Sequence, residues 1–196
     1  MKKNLLYIDC CIRGKESRTE KLAQALLETL QKTGQFTVQE CNLQKDPVLP
    51  MDYPALQRRD KLLNDGRFDD KLFEMAHIFA EADVIVCAVP YWDLLFPAEF
   101  RAYLERICVC GITFKSTDKG LEGLCRCSRL YYITTAGGFI GNADFGYQYI
   151  KGLAGMLGIR KTECFCADGL DIAGLDASER LGEAVRKIHD DNFSLL

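Results

Sequence analysis

Five short strand-like segments, alternating along the chain with stretches in which apolar residues recur every three to four positions, constrain this chain more than any other feature. Residues 4–8 form the first run, closed by Asp9. Leu22, Leu26 and Leu30, joined by Ala23 and Leu27, then put one stripe on a helix that ends near Gly34. Residues 36–41 alternate as a second strand, and Phe68, Leu72, Met75, Ala76 and Phe79 mark the next helical stripe. The run 84–89 is rich in β-branched residues, bounded by Asp83 and Pro90, and reads as a central strand. Pro97 suits the first turn of a helix whose Phe100, Leu104 and Ile107 share a face. Strands at 130–134 and 163–167 alternate with helices at 146–157 and 178–189. Strands without polar alternation are buried on both faces. The pattern therefore predicts an α/β fold, a doubly wound five-stranded parallel sheet with helices on both faces and right-handed crossovers. The 196 residues are expected to form one domain, 1–196. The polar stretch 42–66, punctuated by Pro47, Pro50 and Pro54, reads as a long loop with at most a helical turn.

Composition narrows the function classes. With 25 basic and 28 acidic residues the net charge is −3, and no basic block occurs, which argues against a nucleic-acid partner or a polybasic membrane contact. No apolar run approaches the roughly 18 residues of a membrane span. The apolar stretch 5–8 is too short for a signal-peptide core, so the expected location is cytoplasmic, with thiols reduced. Ten cysteines in 196 residues fall short of the roughly 8–10% found in short disulfide scaffolds. Cys108 and Cys110, Cys125 and Cys127, and Cys164 and Cys166 stand two apart, not at Cys-x-x-Cys spacing. They are expected to be small buried hydrophobes, with no metal bound. His77 and His189 have no motif around them.

In a doubly wound sheet, ligands sit outside the carboxyl ends of the strands where strand order reverses. This selects the loops 10–19, 90–96 and 135–144. The first holds Arg13, Lys15, Ser17, Arg18 and Thr19 against Glu16, just before a helix N-terminus, where free amides and the helix dipole favour a phosphate. The same residues have a purely structural reading, in which Ser17 and Glu20 form a capping box. Neither Gly-x-Gly-x-x-Gly nor Gly-x-x-x-x-Gly-Lys-Ser/Thr occurs, so a dinucleotide fingerprint and a P-loop are both absent. The second loop places the only tryptophan, Trp92, beside Tyr91, either to line a planar ligand or to pack in a core or subunit contact. In the third, Gly137 and Gly138 either let the backbone approach a ligand or form an ordinary turn.

Over nearly its whole length the chain resembles the flavodoxin-like NAD(P)H:quinone oxidoreductases, and most closely the FMN-dependent NADH-azoreductase family. The resemblance is carried by residues 82–90 leading into Tyr91-Trp92-Asp93-Leu94, by Cys110-Gly111-Ile112-Thr113-Phe114-Lys115 with Gly120-Leu121-Glu122-Gly123-Leu124, and by residues 133–138. It implies a non-covalent FMN with its phosphate on Ser17, Arg18 and Thr19, with Cys11 beside them. It also implies that Tyr91, Trp92, Asp93 and Leu94 run along the flavin ring, and that Thr135, Ala136, Gly137 and Gly138 lie near its pyrimidine edge. The chain departs from the family pattern at Cys11 (usually serine), Arg18 (glutamine), residues 91–94 (Met-Tyr-Asn-Phe) and Ala136 (arginine). The implied activity is hydride transfer from NAD(P)H through FMN to a quinone or azo acceptor by a ping-pong route, in a homodimer, with no side chain required as acid or nucleophile. Two alternatives stay open. One is an FMN electron carrier of the flavodoxin type, although such carriers are shorter and more acidic. The other resembles the low-molecular-weight cysteine phosphatases, but six residues separate Cys11 from Arg18 where that family has five.

Overall fold

The structure is a computed structural model that describes residues 2–191 and 193; the extreme ends of the expected 1–196 domain lie outside them. In chain order the elements are β1 (Lys3–Asp9), α1 (Arg18–Lys32), β2 (Phe36–Asn42), α2 (Tyr53–Asn64), α3 (Glu74–Glu81), β3 (Val84–Ala88), α4 (Ala98–Ile107), β4 (Phe114–Thr117), β5 (Gly120–Gly123), β6 (Arg129–Thr135), α5 (Phe145–Met156), β7 (Thr162–Ala167) and α6 (Ala177–Asp190). Five strands form one parallel sheet in the order β2-β1-β3-β6-β7. The chain leaves β1 toward β2 and returns to place β3 on β1's other side. The reversal of direction thus lies between the carboxyl ends of β1 and β3.

The sheet is covered on both faces, as uninterrupted apolar strands require. Leu5, Tyr7, Val84, Val86, Tyr131 and Ile133 pack against Leu22, Leu26 and Leu30 of α1 and Ala184 and Ile188 of α6. The alternate strand positions Leu6, Ile8, Ile85, Cys87 and Tyr132 pack against Phe79 of α3, Phe100 and Leu104 of α4 and Ile150 of α5. All five residues of β3 are buried, the environment its β-branched run suggested.

Two regions depart from the sequence reading. The stretch 42–66 contains a three-turn helix, α2, in place of a single turn. Asp52 caps it by accepting from the Ala55 N–H at 2.8 Å, and Pro54 falls in the first turn, where its missing N–H costs nothing. Only Leu62 of α2 is buried, so the helix carries too little apolar periodicity to be visible in sequence. The second region is residues 114–123, where β4 and β5 pair antiparallel beside the main sheet. Thr113, fully buried, organises the approach to this hairpin. Its hydroxyl accepts from the Val109 N–H at 3.0 Å and donates to the Ile107 carbonyl at 2.7 Å. Gly123 lets the hairpin lie on the turn after α5, because a Cβ there would come within 2.0 Å of Gly158 N. The Gly-Ile-Thr-Phe and Glu-Gly-Leu pieces thus belong to a packing unit.

Candidate functional site

The loops after β1, β3 and β6 meet the loop after β7 around a cleft of about 230 Å³ at the carboxyl end of the sheet. Its floor begins with the segment after β1. Gly14 N–H donates to the Cys11 carbonyl at 2.8 Å, and Ser17 N–H to the Gly14 carbonyl at 2.9 Å, closing two successive tight turns before α1. Ser17, buried, caps α1 by accepting from the Glu20 N–H at 3.3 Å. The reciprocal half of the expected capping box does not form, because the Glu20 carboxylate is taken by the Tyr7 hydroxyl and by Gln24. The N–H groups of Arg18 and Thr19 make no hydrogen bond to the described protein, leaving two helix N-terminal donors at the cleft.

Thr19 and Thr135, both buried, join their hydroxyls at 2.7 Å and so tie the start of α1 to the end of β6. The segment after β3 is held to β6 by the Tyr91 N–H, which donates to the Thr135 carbonyl at 3.1 Å. The Tyr91 hydroxyl donates to the Ala143 carbonyl at 3.0 Å. A tight turn follows, with Leu95 N–H bonded to the Trp92 carbonyl at 2.8 Å and both central residues left-handed: Asp93 at φ 48° and Leu94 at φ 69°. Leucine in that region is strained, and such strain concentrates at ligand sites. Trp92 stays 45% exposed at the cleft wall, so its ring is available to a planar ligand.

The fourth wall is Asp171, from the loop after β7. Its N–H donates to the Gly137 carbonyl at 2.8 Å, and its carboxylate fills the space that a Gly137 side chain would need, since a Cβ there would lie 2.2 Å from Oδ2. The same carboxylate accepts from Arg18 Nη2 at 2.9 Å, while Arg18 Nη1 donates to the Leu170 carbonyl at 3.0 Å. Beneath the floor lies Asp9, buried, whose oxygens accept from the Cys11 N–H at 2.8 Å and from Asn42 Nδ2 at 2.7 Å. Burial raises the Asp9 carboxyl above its ordinary value despite those bonds. The ligand-capable atoms of Asp9, Cys11 and Glu20 lie within 4.8 Å of one another, yet Asp9 and Glu20 are engaged by protein donors. They read as a hydrogen-bond network under the loop.

Of the residues singled out in sequence, Ser17, Arg18, Thr19, Tyr91, Trp92, Thr135 and Gly137 line the cleft. Cys11, Asp93, Leu94, Ala136 and Gly138 do not. Cys11 points into the core beneath α1, where its thiol donates to the Ala88 carbonyl at 3.7 Å and burial raises its pKa well above the ordinary thiol value. That environment suits a small hydrophobe and opposes the thiolate a phosphatase nucleophile needs. Asp93 and Leu94 occupy the exposed tip of the turn. Ala136 is buried, with its N–H on the Ala167 carbonyl, and Gly138, exposed, has no atom within 4 Å of where a side chain would begin. Arg13 and Glu16 of the expected anion loop also line it, Lys15 does not, and Ile12, Pro90 and Asp171 complete the lining. Asp171 had one signal in the sequence: like the other loops, its segment follows the carboxyl end of a parallel strand.

The remaining cysteines are all free. Cys10, Cys87 and Cys127 are buried, and burial, reinforced by nearby acidic groups, pushes Cys10 and Cys127 up to about 12. Of the six cysteines that stand two apart in sequence only Cys127 is buried as expected; Cys108, Cys125, Cys164 and Cys166 are partly exposed and Cys110 is exposed. His77 bonds the Phe68 carbonyl at 2.7 Å through Nε2, a local contact far from the cleft.

A family model described as flavodoxin-like fold matches residues 3–191. An FMN-dependent NADH:quinone oxidoreductase 2 of Clostridium acetobutylicum is 33% identical over 178 residues, covering 87% of this chain and 88% of the relative. The chain belongs to this flavodoxin-like family. Two solved structures share the fold. An azoreductase from Bacillus anthracis Sterne superposes with a TM-score of 0.84 at 20% identity, covering 96% of this chain and 97% of the other. An FMN-dependent NADH-azoreductase from Bacillus anthracis Ames Ancestor, in complex with FMN, has a TM-score of 0.82 at 22% identity, covering 94% and 95%. Among the described residues no helix is long and apolar enough to cross a membrane.

Proposed function

We propose that this chain is an FMN-dependent NADH:quinone oxidoreductase, folded as one flavodoxin-like unit, that also accepts azo compounds. The observation that carries the reading is the convergence of a donor-rich helix N-terminus, an exposed aromatic wall and the Gly137 segment on one cleft, in a chain whose relatives bear that name. The donor set fits a flavin mononucleotide. Free N–H groups at Arg18 and Thr19, the Ser17 hydroxyl and the cations Arg13 and Arg18 suit a phosphate. Trp92 and the backbone of residues 90–92 suit a flat ring. Of the residues implied by resemblance, Cys11, Asp93, Leu94, Ala136 and Gly138 stand outside this cleft, and the roles proposed here rest on the seven that line it together with Arg13 and Pro90.

FMN, when bound, supplies the redox chemistry, passing two electrons from NADH to the acceptor. The chain's own task is to bind and orient. The helix terminus and hydroxyls hold the phosphate end, the Thr19–Thr135 bond keeps the two halves of the site in register, and Trp92 lines the wall beside the ring. NADH and the acceptor would enter by the same open cleft and so would take turns there, the basis for proposing ping-pong kinetics. Trp92 also borders a second, largely apolar groove of about 610 Å³ with Pro50, Phe96 and Arg101. With Leu49 and Tyr53 exposed nearby in sequence to Pro50, this is the face on which we place a homodimer contact. The cytosol is the compartment proposed for it, on the composition argument alone.

The test is reconstitution with FMN followed by steady-state kinetics with NADH and a soluble quinone, with mass measured in solution. Parallel double-reciprocal lines and a dimer mass are expected. Intersecting lines overturn the ping-pong mechanism, a fully active monomer overturns the dimer, and FMN that NADH does not bleach points instead to an electron carrier.

A further inference from the structure

Arg18 enters the cleft with its charge already partnered. Its guanidinium is fixed twice by the loop after β7, through the neutral Leu170 carbonyl at 3.0 Å and through the Asp171 carboxylate at 2.9 Å. Asp171 adds a negative charge inside the space where the helix N-terminus, Arg13 and Arg18 otherwise favour an anion. Its place is secured by two backbone features. Its own N–H is bonded to the Gly137 carbonyl, and the absence of a side chain at Gly137 leaves the pocket its carboxylate occupies.

Resting on the reading of the cleft as an FMN site, we propose that Asp171 is a specificity-determining residue: a built-in counter-ion that competes with the cofactor's phosphate for Arg18 and so weakens the preference for FMN over riboflavin. A phosphate approaching Arg18 either displaces the carboxylate or shares the guanidinium with it. Displacement gives up the existing ion pair and sharing places two anionic groups on one cation, so both lower affinity for the phosphorylated ligand while leaving the neutral one alone. The pair is solvent-accessible, with side chains 32% and 66% exposed, so the effect is moderate in size. Asp171→Asn keeps an oxygen to accept from Arg18 and removes the charge.

The experiment measures Kd for FMN and for riboflavin by quenching of Trp92 fluorescence in the wild type, Asp171→Asn, Arg18→Gln and the double variant, with thermal melts to confirm folding. Asp171→Asn is expected to bind FMN at least about fivefold more tightly, which is ~1 kcal/mol, with riboflavin unchanged and the gain abolished in the Arg18→Gln background. Unchanged or weaker FMN binding in Asp171→Asn overturns the proposal and makes Asp171 a mere support for Arg18. An equal shift for both flavins, or a gain that persists without Arg18, overturns it as well. Should the wild type bind neither flavin, the cofactor reading fails by itself, and inorganic phosphate then serves as the probe. A larger phosphate-induced rise in Tm for Asp171→Asn than for wild type is expected in that case, and its absence overturns the counter-ion role.

Discussion

Substituting Ser17 separates the helix cap from the ligand contact, because the one hydroxyl is placed to serve both. The cap bond, Glu20 N–H to Ser17 Oγ, is 3.3 Å long, beyond the usual 2.7–3.2 Å range. Losing it in Ser17→Ala therefore costs near the low end of the ~0.5–2 kcal/mol range for N-caps, about 0.5–1 kcal/mol. Ser17→Asp keeps a capping oxygen and adds a negative charge at the positive end of α1, so it leaves stability unchanged or raises it by ~0.3–1 kcal/mol. For a phosphate held by the same cleft the order reverses. A hydrogen bond to a charged group contributes about 1.5–3 kcal/mol, so Ser17→Ala loses roughly tenfold or more in FMN affinity, and Ser17→Asp, which repels the phosphate, loses still more. Urea unfolding of the apoprotein gives the first quantity, and titration with FMN and riboflavin followed through Trp92 gives the second. The variant that folds best should bind FMN worst, with riboflavin changed much less. Equal weakening of FMN and riboflavin would refute the placement of the phosphate, and unchanged binding of both would leave Ser17 as a cap alone.

Thr113→Val should cost about 1–3 kcal/mol in urea unfolding, because it strips the buried Val109 N–H of its hydroxyl acceptor. FMN affinity should stay the same, since the hairpin lies outside the cleft; a loss below about 0.5 kcal/mol would show that the hydroxyl does not hold this region. Asp9→Asn tests the buried acid. Its folded pKa is raised above the ordinary 3.8, so the native state holds the proton longer than the unfolded one, and wild-type stability falls as pH rises from the ordinary value through the raised one. The asparagine variant lacks that fall, so its stability relative to wild type should improve as pH rises above the ordinary carboxyl value; a difference independent of pH would remove the burial argument.

How far the sequence reveals the site depends on the range of the interactions involved. Residues 84–89 and the helix stripe Leu22-Leu26-Leu30 are legible because burial acts on each element through its own periodicity. Ser17 is legible because a cap is a local device spanning three residues. The helix α2 was hidden because nearly all of its residues are polar or exposed, and a single buried Leu62 leaves no pattern to read. The β4–β5 hairpin was hidden because its glycines suggest turns, whereas Gly123 is needed for contact with Gly158, thirty-five positions away. Cys11 adjoins the anion loop in sequence, and only the folded chain shows that its side chain packs in the core beneath α1.

What the sequence determined by itself was the alternation of buried strands and amphipathic helices, and with it the parallel sheet and the loops at its carboxyl end. Hydrophobic burial and backbone hydrogen bonding leave few other ways to satisfy that pattern. Only the tertiary structure decided which residues of those loops share a cleft. The Thr19–Thr135 bond spans 116 positions and the Arg18–Asp171 pair 153. Their meeting depends on strand order, on the reversal between β1 and β3, and on the space left open at Gly137. Periodicity records what one element buries. It carries no record of which distant side chain fills the gap beside it, and that packing is what pairs Arg18 with Asp171 in the cleft.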